Sequence, residues 1–283
     1  MRVVFCLWGP RRGFFRKAVS PIAEYYKLKG HEVLYVDYRN WKDSKIHSLG
    51  PLDHAYFWNG EYSFLRKIKQ HLLSADVEVF NCEVAWFPQS KYIYVDRSGT
   101  NGNSSLFYDD LSWLDEDDYK KLRAMRDLYR GGIEPTDEGY IFVPLQLPYD
   151  TAITKWSPLR WVGDIVRRAQ ITFPDKDIIF RKHPKDHKKY NDLGICDSLK
   201  KGEGDLKTLI MGSSLVWGMN STVLLEAALM GKKVVTCGKS LLHIGQSRDE
   251  ALAALLASQI GMEQRDLTPW MRSGRCLEHL NKV

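Results

Sequence analysis

Two carboxylates in this chain are placed where a group-transfer reaction could use them. Glu83 follows the strand-like run VEVFNC, and Asp150 comes shortly after the run YIFVPL. One carboxylate could attack or stabilise an anomeric carbon while the other activates an acceptor hydroxyl. The alternative is that Glu83 only ends a strand and Asp150 belongs to an ordinary loop. Their spacing does not decide between these interpretations, although loops beyond strand ends often carry function.

A basic segment and a capped helix could together bind an anion. The segment RKHPK at 181–185 follows a strand-like run at 177–180, and its proline biases the backbone at His183 toward an extended form. The segment NST at 220–222 precedes an apolar helical pattern at 223–230, where unpaired N–H groups and the helix dipole favour negative charge. The predicted phosphate-binding residues are Arg181, His183, Lys185, Asn220, Ser221 and Thr222. For His183 the alternative is a surface histidine in a basic stretch.

Three further residues are candidates for substrate contact. Gln146 follows the same strand-like run that leads to Asp150, and Asp96 follows the run YIYV. Trp86 lies in a loop three residues after Glu83, so it is the tryptophan best placed to act as a sugar platform. Each has an alternative role. Asp is common in turns such as the one that RSGTNGNSS predicts, and most tryptophans fill cores.

These residues need a scaffold that brings strand ends together, and the sequence predicts one. Apolar runs of strand length alternate with helical patterns, which is typical of α/β proteins with mostly parallel sheets. In such sheets ligands bind beyond the carboxyl ends of the strands. The stretch GGIEPTDEG at 131–139 reads as a linker. We therefore predict two Rossmann-like domains, 1–135 and 136–283, that face a shared cleft.

Composition and missing motifs exclude several functions. The net charge of +6 suits an acidic small molecule, a nucleotide or an anionic membrane surface, and is too small to indicate nucleic acid. No GxGxxG follows the first strand and no GxxxxGK[ST] occurs. The loop GPRRG at 9–13 could hold an anion or be a plain surface turn. The five scattered cysteines suggest no zinc site. No apolar run is long enough for a membrane span, so we expect a cytoplasmic protein.

Three blocks of sequence resemble the bacterial β-Kdo glycosyltransferases of capsule and O-antigen assembly, which use CMP-β-Kdo and retain the anomeric configuration. The first block is EVAWFP at 83–88 with DRSG at 96–99 and NSS at 103–105, although Ala85 stands where glycine is common. The second is VPLQ at 143–146 with DTAI at 150–153. The third is RKHP at 181–184 with NSTV at 220–223, a pair found more widely in transferases that use CMP-activated acidic sugars.

The resemblance implies a GT-B fold with the CMP-sugar donor in the C-terminal domain and the acceptor in the N-terminal one. It implies that Asp150 is the nucleophile, forming a covalent Kdo adduct, and that Glu83 acts near the acceptor as base or acid/base. His183 and Lys185 would meet the CMP portion, while Ser221 and Thr222 would hold its phosphate. Cations and N–H groups could stabilise the leaving phosphate, so no metal or other cofactor is expected.

Two other functions stay open at this stage. An inverting transferase for another CMP-nonulosonic acid, such as a sialic acid, could use the same nucleotide site. A non-catalytic module that binds a nucleotide or a sugar could also carry these residues. The acceptor, a saccharide or lipid-linked saccharide, cannot be identified from the sequence. A peripheral contact with the inner membrane also stays open.

Overall fold

The computed structural model describes residues 1–7, 12–37, 48–59, 61, 63, 65–159, 161–187, 199–201 and 204–283. The chain divides into two compact units. Unit 1 comprises residues 1–115 and 254–283, and unit 2 comprises residues 116–253. The predicted GPRRG loop at 9–13 lies mostly outside the described residues.

The elements alternate along the chain as the sequence pattern predicts. The strands are β1 (Arg2–Leu7), β2 (Glu32–Asp37), β3 (His54–Trp58), β4 (Glu78–Val84), β5 (Tyr92–Asp96), β6 (Ile141–Pro144), β7 (Ile178–Arg181), β8 (Leu199–Lys201), β9 (Leu215–Gly218), β10 (Val234–Thr236) and β11 (Ile260–Gly261). The helices are α1 (Arg12–Leu28), α2 (Leu65–Ser74), α3 (Glu116–Arg130), α4 (Thr151–Thr154), α5 (Gly163–Thr172), α6 (Leu206–Gly212), α7 (Thr222–Leu229), α8 (Arg248–Ser258) and α9 (Thr268–Met271). Short 3₁₀ turns lie at Asn101–Asn103, Ser105–Phe107, Leu241–His243 and Glu278–Lys282.

Unit 1 contains a mixed sheet in the order β11-β5-β4-β3-β1-β2. Strands β1 to β4 run parallel, whereas β5 is antiparallel to β4 and β11 is antiparallel to β5. All five residues of β3 are buried, as expected for a central strand covered on both faces. Apolar side chains of α1 pack on one face of the sheet, and those of α2 pack on the other.

Unit 2 contains a wholly parallel sheet in the order β8-β7-β6-β9-β10. Counted within the unit this is the 3-2-1-4-5 order of a nucleotide-binding fold, and the order reverses between β6 and β9. β6 is buried along its whole length, and α5 packs on it through Ile165, Val166 and Ala169. The α/β prediction is confirmed, with one mixed and one parallel sheet.

The division of the chain differs from the predicted boundary at 135/136. Helix α3 packs against α7 within unit 2, and Arg130 Nε donates to the carbonyl of Met230 at 3.0 Å. At the other end, the last 30 residues belong to unit 1. There β11 pairs with β5, and the His279 ring bonds to the Tyr56 hydroxyl at 2.6 Å. The linker-like stretch at 131–139 is therefore a connection inside unit 2.

Candidate functional site

The strongest candidate site lies in unit 2 at the point where the strand order reverses. There β6 and β9 are neighbours, and their carboxyl ends meet at one edge of the sheet. Gln146 follows β6, while Asn220 and Ser221 follow β9. An open α/β sheet binds its ligand in the crevice at such a switch point. The strand order alone therefore identifies this edge of the sheet as the expected ligand site.

Asn220 links the two connections at this edge. Its backbone N–H donates to Gln146 Oε1 at 3.4 Å, and its side-chain Nδ2 donates to the carbonyl of Ala152 at 2.8 Å. Gln146 is only 8% exposed, so its amide is a fixed partner. Asn220 Oδ1 is buried and has no hydrogen-bond partner among the described residues, which leaves an unused acceptor at the site. The loop after β9 is thus tied to the loop after β6.

Asp150 is held in place by the short helix that it caps. One carboxylate oxygen accepts the N–H of Ala152 at 2.8 Å, which makes Asp150 the N-cap of α4. Within the described part of the chain, its second oxygen accepts no hydrogen bond. A capping bond fixes the rotamer, so the other oxygen has a defined position from which it could react.

His183 follows β7 and is electrostatically coupled to Asp150. Burial and the nearby Lys185 lower the pKa of His183, while the charges of Asp150 and Asp186 oppose that shift. The ring is therefore neutral near pH 7. Its Nδ1 accepts the backbone N–H of Lys185 at 3.1 Å, so the neutral ring carries its proton on Nε2. The neutral ring can therefore donate a hydrogen bond from Nε2.

The N-terminus of α7 completes the group. Ser221 is the N-cap, and its Oγ accepts the N–H of Val223 at 3.2 Å. Thr222 is the first residue of the helix. The helix dipole favours an anion at this end. Gly238 lies close by, since a Cβ there would be 2.9 Å from the carbonyl of Trp156 and 3.3 Å from Asn220 Nδ2.

The two predicted cations of this region differ in what they contact. Arg181 is the last residue of β7, and its Nη1 donates to the carbonyl of Gly204 at 2.8 Å. This bond commits part of the guanidinium to the backbone. Lys185 is exposed and lies two residues beyond His183. The exposed ammonium is therefore the cation better placed to meet a ligand.

Glu226 is a further functional candidate of unit 2. It lies on α7 one turn beyond Thr222, among buried apolar residues. Burial raises the pKa of its carboxyl to about 7. The sequence signal for it is an acid inside the otherwise apolar run VLLEAAL.

In unit 1, Glu83 lies inside a strand and not beyond its end. β4 continues to Val84 because β5 pairs with it, and Glu83 is opposite Tyr94 in that antiparallel ladder. The Glu83 carboxylate is half-buried and accepts the N–H of Val84 at 3.0 Å. It shares a sheet face with Asn81, two residues earlier, and still lies near the carboxyl edge.

The platform prediction for Trp86 is wrong. Its side chain is buried, with 3% of the residue exposed, and it stacks on Tyr94 with ring centroids 4.5 Å apart. An indole covered in this way fills the core and presents no open face to a sugar. The aromatic residue that is exposed beside a predicted site residue is Tyr149, which is 70% exposed and precedes Asp150.

Asp96 has a structural role that replaces its predicted substrate contact. The carboxylate is 4% exposed and accepts the N–H groups of Ser98, Gly99 and Ser105 and the hydroxyl of Ser104. Burial raises the pKa of Asp96, and these hydrogen bonds oppose the shift. With so many protein donors, Asp96 organises the loop that follows β5.

A second buried acid in unit 1 was not predicted. Glu61 is 7% exposed and accepts the N–H of Thr100 and the side-chain amide of Asn103, both at 2.9 Å. Gly99 makes this contact possible, because a Cβ there would be 2.6 Å from Glu61 Oε1. The pairing joins residues about forty positions apart, so no local motif indicates it.

No group of three or more His, Cys, Asp or Glu side chains in the described ranges is arranged to hold a metal ion. No helix in those ranges is both long and apolar enough to span a bilayer.

Comparison with known proteins adds a family and a fold. A family model described as "Capsule polysaccharide biosynthesis protein" matches residues 117–265, just over half of the chain. Protein FixF of Sinorhizobium fredii (strain NBRC 101917 / NGR234) is 34% identical over 116 residues, which cover 38% of this chain and 28% of FixF. The lipopolysaccharide-processing protein LpsZ of Rhizobium meliloti is 24% identical over 198 residues, covering 64% of this chain and 45% of LpsZ. The matches thus span less than half the length of either relative.

Two solved chains of KpsC from Thermosulfurimonas dismutans share the fold. The chain described as its β-Kdo 2,7 transferase aligns with a TM-score of 0.67 at 15% identity, covering 93% of this chain and 96% of that one. The chain described as its β-Kdo 2,4 transferase aligns with a TM-score of 0.62 at 16% identity, covering 91% and 89%. At these identities the likeness establishes the fold.

Proposed function

The chain belongs to the capsule polysaccharide biosynthesis protein family, and we propose that it is a glycosyltransferase that moves Kdo from CMP-β-Kdo to a saccharide or lipid-linked saccharide. The observation that carries the proposal is that Asp150, Asn220 and Ser221 follow the two strands of the switch point, β6 and β9, while His183 follows the adjacent β7. The two KpsC chains are described as β-Kdo transferases, which supports Kdo as the transferred sugar.

The donor phosphate is proposed to bind at the N-terminus of α7. Ser221 orients the first turn, and the helix dipole attracts the negative charge. The exposed ammonium of Lys185 and the Nε2–H of His183 supply further positive charge and a donor. Stabilising the leaving phosphate in this way needs no metal ion. Transfer should therefore proceed at an unchanged rate in EDTA.

Transfer with retention requires two displacements at the anomeric carbon of Kdo. In the first, an Asp150 oxygen forms a bond to that carbon, the bond to the phosphate oxygen breaks, and CMP leaves with the electron pair. In the second, an acceptor hydroxyl attacks the same carbon, its proton passes to a base, and the Asp150 carboxylate departs. The capping bond from Ala152 holds one oxygen of Asp150 and leaves the other to react.

Glu83 is proposed as the base for the acceptor hydroxyl. It is half-buried near the carboxyl edge of the unit 1 sheet. We further propose that units 1 and 2 are the acceptor-side and donor-side domains of a GT-B transferase. Asp150 of unit 2 would then be the nucleophile, and Glu83 of unit 1 would be the base.

The test is transfer from CMP-Kdo, with CMP-sialic acid as the competing donor and a panel of saccharide acceptors. Asp150→Ala should abolish detectable transfer, and Asp175→Ala is the matched control because Asp175 is an exposed acid of the same unit. Mass spectrometry of wild-type protein mixed with CMP-Kdo should find Kdo on the peptide that contains Asp150. Wild-type transfer rates in Asp150→Ala would remove the nucleophile role.

Other outcomes identify the alternative functions. Transfer from CMP-sialic acid alone would indicate a different CMP-nonulosonic acid donor. Binding of CMP without turnover of any donor would indicate a non-catalytic module.

A further inference from the structure

Unit 1 contains a cavity beside strands β4 and β5. Its volume is about 390 Å³, within the range of ~300–1,000 Å³ that small-molecule sites occupy. β4 contributes its first residues, 78–80, and β5 contributes its last, 94–96. The C-terminal segment 274–282 forms another wall.

The cavity is separate from the residues proposed for transfer. Glu83 does not line the cavity, although Tyr94, its partner in the β4–β5 ladder, does. None of the residues proposed to bind the donor or to act on it lines the cavity. A ligand bound here would be a second ligand of the protein.

The charged side chains that line this cavity do not favour a ligand of either charge. Three cationic and four acidic side chains line it. Arg97 pairs with Asp109, and the Asp96 carboxylate accepts four donors from its own loop. Glu278 accepts the N–H of Gly274 at 2.7 Å. Acids and cations thus nearly balance, and most of the acids already have protein partners.

Trp113 lines this cavity, and its indole N–H is not used within the described residues. The Arg275 guanidinium lies over the Trp113 ring at 4.8 Å, and Trp113 Nε1 is buried with no partner among the described residues. Gly274, at φ +74°, lies against the same ring, since a Cβ there would be 2.7 Å from Trp113 Cδ1. The exposed Lys282 also has no hydrogen bond or ion pair within the described ranges. The walls therefore offer both unused donors and an apolar ring.

We propose that this cavity binds a neutral saccharide, as a site separate from the one at which transfer occurs. A hydroxyl-rich, uncharged ring matches a balanced charge lining, an indole wall and free hydrogen-bond donors. The choice of a saccharide over another hydroxylated ligand rests on the proposed function. A sugar residue bound here would anchor a glycan while another part of the same glycan lies at the transfer site.

Saturation-transfer NMR with methyl glycosides of neutral hexoses tests the proposal, with methyl β-Kdo as the charged comparator. Leu73 lines the cavity and is 56% exposed, so Leu73→Trp should fill it from the rim without breaking a hydrogen bond. Leu28→Trp is the matched control, because Leu28 is 86% exposed on α1 and lies outside the cavity.

The wild type and Leu28→Trp should bind at least one neutral glycoside, and Leu73→Trp should bind it at least about tenfold more weakly. Trp113→Phe keeps the ring, removes the donor and should weaken binding about fivefold, the range expected for one hydrogen bond. Absence of binding to every neutral glycoside, preference for methyl β-Kdo, or equal binding by Leu73→Trp would overturn the proposal. Transfer from CMP-Kdo is measured in parallel, so its failure bears on the proposed function and leaves this binding result intact.

Discussion

Asn220 donates its side-chain amide to the carbonyl of Ala152 at 2.8 Å, across 68 residues of sequence. Ala152 is also the residue whose N–H holds the Asp150 carboxylate. The bond therefore connects the loop that precedes α7, the helix proposed to bind phosphate, to the helix that positions the proposed nucleophile. Asn220 is proposed to keep these two parts of the donor site in register.

Replacing Asn220 tests that role. Asn220→Ala removes the bond to Ala152 and should lower kcat about 10- to 100-fold while costing about 1 kcal/mol of stability. The measurements are steady-state transfer kinetics and urea unfolding. Asn281→Ala is the control, because Asn281 makes a comparable amide bond to Met271 in unit 1. An Asn220→Ala enzyme with unchanged kcat would show that the bond is only structural.

Gly238 provides an independent test of the same packing. Gly238→Ala places a methyl group 2.9 Å from the Trp156 carbonyl and 3.3 Å from Asn220 Nδ2, so something must shift. The substitution should destabilise the fold by about 1–3 kcal/mol and reduce transfer. Gly13→Ala is the control, since Gly13 lies in α1 and no neighbouring atom of the described residues lies within 4 Å of a Cβ there. Equal stability of Gly238→Ala and wild type in urea unfolding would contradict this packing.

Glu226 makes stability depend on pH. Burial raises the pKa of its carboxyl to about 7, above the usual 4.5 of an unfolded chain, so the fold favours the protonated acid. Its contribution to stability is full below about pH 4.5 and is lost as pH rises through 7. Glu226→Gln should therefore stabilise the protein at pH 8, by about 1–3 kcal/mol, and leave it nearly unchanged at pH 5. Urea unfolding at both pH values measures this, and an equal effect at both would contradict it.

The local parts of the proposed donor site were predictable from the sequence. Ser221 caps α7 as its position before an apolar helix indicates, and Asp150 and His183 follow β6 and β7 as the apolar runs predict. Such features depend on neighbours within a few residues. The helix that Asp150 caps was not predicted, because four residues give no periodic pattern.

The features that could not be predicted depend on contacts between residues that are far apart in the sequence. β4 continues through Glu83 because β5 returns beside it, and Trp86 is buried because Tyr94 comes to lie under it. β8 and β11 are too short to show an alternating pattern. Each is a strand because it pairs with a longer one, β8 with β7 and β11 with β5. The return of the C-terminal segment to unit 1 depends on contacts such as that of His279 with Tyr56.

The configuration of the product is the most direct test of the central claim. Wild-type protein is incubated with CMP-β-Kdo and an acceptor, and NMR then determines the anomeric configuration of the transferred Kdo. Transfer through an Asp150 adduct inverts the centre twice, so the product should carry β-linked Kdo. An α-linked product would contradict the two-step mechanism, and the absence of any Kdo-bearing product across the acceptor panel would contradict the transferase function.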